Sequence, residues 1–195
     1  ELESLKTKIS LLELLKNQFS INNLQITSKS IKAKDLVSFI RSIKSDPKLF
    51  LLEMMIKDGY LVGSVNLNFD KNGKVKNNFK IDGFVKNLEI QTLKNYKLEN
   101  LNFIFDIKDN EYQFLKIETQ FNKIKLNSPF ITIKEKNDKF FVTGRILNNE
   151  KNTHFKVIQD LLSDYYIDLN LKDIHFLSDN NFSFEVSKKF KFSNL

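Results

Sequence analysis

Two histidines, His154 and His175, are the first residues to weigh for chemistry, because imidazole is the usual metal ligand and the usual acid-base group near neutral pH. Neither has carboxylates or a second histidine at the spacing a three- or four-ligand site needs, so they read as a helix-start residue and a polar strand residue. Cysteine is absent, which removes thiolate zinc sites, disulfides and a thiol nucleophile. The five glycines, Gly59, Gly63, Gly73, Gly83 and Gly144, are scattered, whereas a loop that cradles phosphate needs several together. Asp106 and Asp168 have no serine in a nucleophile-elbow context near them, so no triad can be assembled. The reading is a protein that is not an enzyme, with no cofactor and no metal.

The elements that would position these residues are strands. Leu61, Gly63, Val65, Leu67 and Phe69 alternate with Ser64, Asn66 and Asn68, and this period of two sends the two sets to opposite sides of a sheet. Asp70-Lys71-Asn72-Gly73 supplies turn residues, and Phe79, Ile81, Gly83 and Val85 resume the alternation, so a hairpin is predicted. Parity flips before Leu88 and Ile90, and a bulge near Lys86-Asn87 would account for it. Leu101, Phe103, Phe105 and Ile107 follow, then a turn at Asp109-Asn110, then Leu115, Ile117, Thr119 and Phe121. Further strands are predicted at Ile124 to Leu126, Ile131 to Ile133 and Phe140 to Ile146. The tail adds Leu169 and Leu171, Ile174 and Phe176, then a turn at Ser178-Asp179-Asn180 followed by Phe182, Phe184 and Val186. Short connections make the sheet largely antiparallel.

Helices are few. Leu36, Phe39, Ile40 and Ile43 have helical spacing, and Asp46-Pro47 offers an N-cap and a first-turn proline for a second helix ending at Asp58-Gly59. Short helices are also predicted at Leu11 to Asn17 and Thr153 to Asp164. Ile21 to Ile26, Leu98 to Phe103 and Leu171 to Phe176 share an apolar-x-Asn/Asp-apolar-x-apolar pattern, a faint internal echo. The chain reads as one β-sheet segment, 1–195, with a helix-containing opening region at 1–58, a β meander at 59–147 and a short helix plus further strands at 148–195.

A formal charge of +7 invites anionic partners, yet of the 31 basic residues only Arg41 and Arg145 are arginine. The lysines are spread over the polar positions of the alternating runs instead of being clustered on one face, which argues against nucleic acid as a partner. No stretch reaches the roughly 18 apolar residues of a membrane helix. The chain begins at Glu1 and stops in an alternating run, so it reads as an excerpt of a longer protein.

The 19 phenylalanines, with no tryptophan, concentrate on the apolar side of the predicted strands. Few helices face many strands, so either the sheet closes around a core or a long apolar face stays open for a ligand.

Gly59 to Asp70, Gly73-Lys74-Val75, Phe79 to Val85 and Leu98 to Phe103 resemble the AsmA-like family of bacterial envelope proteins, with its TamB and YhdP relatives. The short leucine-rich helix at Leu11 to Ser20, the strand Ile21 to Ile26 and the helix within Ile31 to Ile43 are similar to that family as well. The resemblance implies a mainly β fold, a long, largely antiparallel, curled sheet with an apolar groove and a few short helices. It implies an internal section of a periplasmic protein anchored to the inner membrane by a part outside this chain. It also implies that phospholipid, or another acyl-chain lipid, is carried along the groove between inner and outer membranes. The alternative is a scaffold for outer-membrane assembly that moves no lipid and pairs its sheet edge with a client strand. Expected groove-lining residues are Leu61, Val65, Leu67, Phe69, Phe79, Ile81, Val85, Leu101, Phe103, Phe105, Ile107, Leu115, Ile117, Phe121, Ile131, Ile133, Phe182, Phe184 and Val186. No single one of them should be indispensable, because hydrophobic contact is spread over area.

Overall fold

The computed structural model describes residues 2–43, 46–92, 96–148, 158–159, 162–163, 166–167, 177–187 and 192–193. The predicted strands at Leu169 to Phe176, most of the predicted helix at Thr153 to Asp164, and both histidines lie outside them. The described chain runs β1 (Leu2–Ile9), α1 (Leu11–Leu15), β2 (Ile21–Ser28), β3 (Ile31–Lys32), α2 (Ala33–Ile43) and α3 (Pro47–Met55). It continues with β4 (Ile56–Asn68), β5 (Lys80–Gln91), β6 (Lys97–Lys108), β7 (Glu111–Phe121), β8 (Ile124–Lys136), β9 (Lys139–Asn148), β10 (Ser178–Ser187) and β11 (Phe192–Ser193).

All the strands join one antiparallel sheet in the order β1-β2-β4-β5-β6-β7-β8-β9-β10-β11, with β3 pairing β4 beside this path. From β4 to β10 each strand neighbours the next in sequence. The sheet does not close: among the described residues β1 is bonded to β2 alone and β11 to β10 alone. The fold is therefore mainly β, as the alternation predicted.

The meander is tight because its turns carry residues that tolerate left-handed backbone. Asp109-Asn110, Asn122-Lys123 and Asn137-Asp138 each place two successive residues at positive φ, from 46° to 72°. That geometry suits two-residue hairpins, whose twist matches the flanking strands. The expected bulge at Lys86-Asn87 is present: Asn87 has φ 50° and the register slips between Val85 and Leu88. Asn100 (φ 52°) repeats the device on β6 and Lys116 (φ 52°) on β7. On β8 the pairing with β9 skips the stretch around Pro129, between Asn127 and Ile131. Proline has no N–H for a ladder bond, so it is tolerated where pairing lapses. Pairing with β7 runs on without a register shift past Pro129, so Ile124–Lys136 is one thirteen-residue strand and not the two short ones predicted. Bulges on four successive strands form a transverse crease, and each one bends its strand.

β1 has no counterpart in the sequence reading. Its Leu-Glu-Ser-Leu-Lys-Thr-Lys-Ile alternates weakly, and pairing with β2 decides its conformation. Asp46 and Pro47 act as predicted: the Asp46 side chain accepts a hydrogen bond from the Lys48 N–H at 2.9 Å, and Pro47 opens α3. That helix ends at Met55, earlier than expected, because Ile56 already belongs to β4.

The buried core is small. Ala33 and Val37 of α2 pack with Ile56, Val85, Leu88 and Phe105, and Leu49, Leu61, Ile81 and Phe103 lean against that cluster. Glycines make room for the largest ring in it. Gly63 and Gly83 face each other across β4 and β5, Gly83 pairs with Phe105, and a Cβ on Gly83 would sit 2.7 Å from the Phe105 ring and 2.2 Å from the Val62 carbonyl. Gly144 does the same under Phe182, with a hypothetical Cβ 2.5 Å from that ring. These strand glycines thus serve close aromatic packing.

Candidate functional site

The registers place apolar side chains of successive strands in one row across the sheet. Leu5 pairs with Ile26, Ile26 with Val65, Val65 with Ile81, and Ile81 with Ile107. The row continues from Ile107 through Tyr112, Ile133 and Val142 to Phe184. At about 4.8 Å per strand it extends roughly 40 Å. Parallel rows flank it: Gly63-Gly83-Phe105-Phe114-Ile131-Gly144-Phe182 on one side, and Leu24 with Leu67 on the other.

The structure brings most of the expected lining residues to this one face. Leu61, Val65, Leu67, Ile81, Phe103, Ile107, Ile131, Ile133, Phe182 and Phe184 are half-buried there, and Val186 is buried. Leu101 keeps the parity of Phe103 and joins them, and Ile117 and Phe121 do so beyond the crease, because the bulge at Lys116 shifts parity and returns their side chains to the same side. Phe69 meets the Phe19 ring at 5.5 Å in a tilted contact at the sheet's end, and Phe79 precedes β5.

Two placements differ from the expectation. Leu115 pairs with Ile104 and Phe130 and therefore lies on the opposite face; the left-handed Lys116 between it and Ile117 breaks the alternation that seemed to unite them. Val85 and Phe105 lie in the cluster with α2, so that helix already covers this part of the apolar face.

The opposite face is polar along most of its width and tied by ion pairs between neighbouring strands. Lys80 bridges Asp106 at 3.0 Å and Asp82 at 3.3 Å, Lys134 meets Glu111 at 3.1 Å, and Lys139 meets Glu185 at 2.7 Å. The Arg145 guanidinium grips both carboxylate oxygens of Asp179. That pairing holds the Asp179 carboxyl below its ordinary range, chiefly through the hydrogen bond from Arg145. Glu111 is lowered first by the Gln113 amide and then by Lys134, while Asp106 and then Asp82 raise Lys80. Asp106 is thus a partner in a structural pair.

A second apolar row crosses this polar face: Val62, Phe84, Ile104, Leu115 and Phe130 in register, with Phe84, Ile104 and Phe130 exposed. Sequence reading missed it. The available signal was an apolar residue at the off-parity position of four strands, Val62, Phe84, Ile104 and Phe130. Among the described residues no group of three or more His, Cys, Asp or Glu could hold a metal ion, and no helix is long and apolar enough to cross a membrane.

Fold and faces define a mainly β protein with one open antiparallel sheet, apolar on one side and mostly polar on the other. No family model matches the chain, and no solved structure matches it. Over 94 residues it is similar, at 30% identity, to SWR1-complex protein 4 of Schizosaccharomyces pombe. That stretch is 47% of this chain and 22% of the yeast protein, so the chain spans less than a quarter of that relative's length.

Proposed function

We propose that the chain is an internal section of a bridge-like, AsmA-like envelope protein, and that phospholipid acyl chains lie along its apolar sheet face on their way between inner and outer membranes. The single observation that carries this reading is the in-register apolar row from Leu5 to Phe184, which continues across strands that α2 does not cover. Acyl chains need a long, non-directional apolar track, and a row running perpendicular to the strands provides one without any covalent step. Charged head groups would stay at the margin of the face, in water. In this reading the full-length protein is periplasmic and anchored in the inner membrane. The protein is not an enzyme, and nucleic acid is not its partner.

The test places a charge in the track away from the α2 cluster. Ile133→Asp should keep the far-ultraviolet spectrum and a cooperative melt, and it should abolish both co-purified phospholipid and binding of NBD-labelled phosphatidylethanolamine. Thr132→Asp, one residue away and facing the polar side, should bind the lipid like the parent. Equal lipid binding by the parent and a folded Ile133→Asp variant would falsify the proposal.

A second reading has its own support, because β1 is an open edge whose residues are almost all exposed. A client β-strand could add there, as a scaffold for outer-membrane assembly requires. Proline at Lys6 should abolish capture of such a strand and leave lipid binding intact, so the two readings separate.

A further inference from the structure

On the polar side of the sheet, at the end remote from α2, lies a cleft of about 740 Å³. This is within the roughly 300 to 1,000 Å³ common for small-ligand sites. Its floor is amide. Asn23, Asn66 and Asn68 come from β2 and β4, Asn22 adjoins them, and Asn78 closes the row from the β4–β5 connection. Glu13 of α1, Lys8 of β1, and Lys71 and Lys76 of that connection form the rim, with Phe69 as an aromatic wall.

The amides are tied to one another so that hydrogen-bonding capacity stays available. The Asn23 side-chain N–H groups donate to the Asn66 and Asn68 carbonyls and to the Leu67 backbone carbonyl. The Asn68 amide donates to Asn78 at 3.4 Å. Among the described residues, Asn23 keeps its side-chain carbonyl and Asn66 its side-chain N–H for a further partner, so the floor presents a fixed acceptor beside a fixed donor. The Oε2 atom of Glu13 is shielded from solvent and accepts no hydrogen bond within the described residues. A buried carboxylate oxygen of that kind calls for a donor. Asp70 is already engaged: it accepts the backbone N–H groups of Asn72 at 2.8 Å and Lys74 at 3.0 Å, and the Lys74 bond, then the Asn72 bond, holds its carboxyl below the ordinary range. Lys8, Lys71 and Lys76 line the cleft and bring three cations to the rim, Lys76 close enough to Asp70 to help lower its carboxyl.

Hydroxyls both donate and accept, which is what alternating amide groups and a waiting carboxylate read. Three lysines read an anion, and an aromatic wall suits the C–H face of a sugar ring. We infer that this cleft binds a phosphorylated polyol, with its hydroxyls on Asn23, Asn66 and Glu13 and its phosphate on Lys8, Lys71 and Lys76. This site uses the face opposite the proposed lipid track and does not depend on that proposal.

The same chemistry occurs in a free sugar phosphate and in the head group of an inositol lipid. The full chain is titrated with α-D-glucose 1-phosphate, glucose and inorganic phosphate, read by NMR of the asparagine side-chain amides, and is separately floated with phosphatidylcholine vesicles with and without phosphatidylinositol. Glucose 1-phosphate should bind roughly tenfold tighter than either glucose or phosphate, and Asn66→Leu and Lys71→Glu should each weaken it by about tenfold, the loss expected for one charge-assisted or buried hydrogen bond. Lys71 lies in an exposed turn, so its variant stays informative if Asn66→Leu fails to fold. Vesicle capture that needs phosphatidylinositol and is lost in Lys71→Glu would assign the ligand to a lipid; soluble binding without capture would assign it to a free sugar phosphate. Saturable binding of phosphate as tight as that of glucose 1-phosphate, or no saturable binding of any probe, overturns the inference.

Discussion

Phe105 lies over a pair of glycines, and this contact sets how the sheet's centre tolerates change. A Cβ on Gly83 would come within 2.2 Å of the Val62 carbonyl, a backbone atom that cannot swing aside, whereas a Cβ on Gly63 finds its nearest neighbour at 3.5 Å. Gly83→Ala should therefore destabilise the fold by about 2 kcal/mol or more, as overpacking does, while Gly63→Ala should cost less than about 1 kcal/mol. Urea melts of the two variants check the contrast, and equal losses would contradict the packing described. Phe105→Ala removes the buried ring itself and should cost about 3 to 5 kcal/mol. Charge placement at this site should unfold the domain instead of leaving it folded without lipid, since Phe105 belongs to the cluster with Ala33 and Val37.

At the scale of the element, the hairpins and the cross-strand pairs carry the predictions. The β7–β8 turn holds Lys123 at φ 72°, a conformation that costs a side-chain-bearing residue roughly 1 kcal/mol and glycine little. Lys123→Gly after Asn122 should stabilise the protein by about 0.5 kcal/mol, raising the midpoint of thermal unfolding. The ion pairs predict a pH dependence. Asp179 and Glu111 have their carboxyls lowered in the fold, so the stability they lend is fully present above the ordinary carboxylate pKa of about 4 and drains away as pH falls through the lowered folded value. Melting temperature should hold from pH 7 to about pH 5 and fall below about pH 4. Asp179→Asn should flatten part of that acid fall, and a variant with the parent's full acid sensitivity would remove Asp179 from the account. Lys80, raised by Asp106 and Asp82, keeps its contribution until pH climbs past the usual lysine range.

For the whole molecule, the governing feature is a sheet that remains open and, among the described residues, has one layer over much of its area. Helix α2 covers the region around Val85, and among the described residues none of α1, α2 and α3 packs on the apolar row beyond it, through Tyr112, Ile133 and Val142. Half-buried side chains in such a row gain most of their shelter from lateral neighbours, so a ligand that lies along them should raise stability by mass action. Addition of phosphatidylethanolamine in detergent micelles should raise the thermal midpoint of the parent and not that of Ile133→Asp; equal shifts in both would locate the lipid elsewhere. The crease of bulges at Asn87, Asn100 and Lys116 bends every strand it crosses at one level.

Periodicity by itself determined that the chain makes strands, that turns fall at Asp70 to Gly73 and Asp109-Asn110, and that a bulge follows Val85, because alternation and turn chemistry are local properties written in neighbouring residues. The turn expected at Ser178-Asp179-Asn180 is instead the start of β10, where pairing with β9 overrides the turn-forming residue types. It also placed Val65, Ile81, Ile107, Ile133 and Phe184 on apolar sides of their strands. It could not tell that β1 is a strand, since Leu2–Ile9 owes its conformation to hydrogen bonds with β2. Nor could it see that Leu115 leaves the face shared by Ile117, because a single left-handed residue, Lys116, reverses parity without any glycine to announce it. The amide cleft joins residues from β1, α1, β2, β4 and a turn that are up to seventy positions apart. Only the tertiary structure decided which rows line up, which part of the apolar face α2 covers and that the sheet stays open, because register and edge pairing are set by contacts between segments distant along the chain.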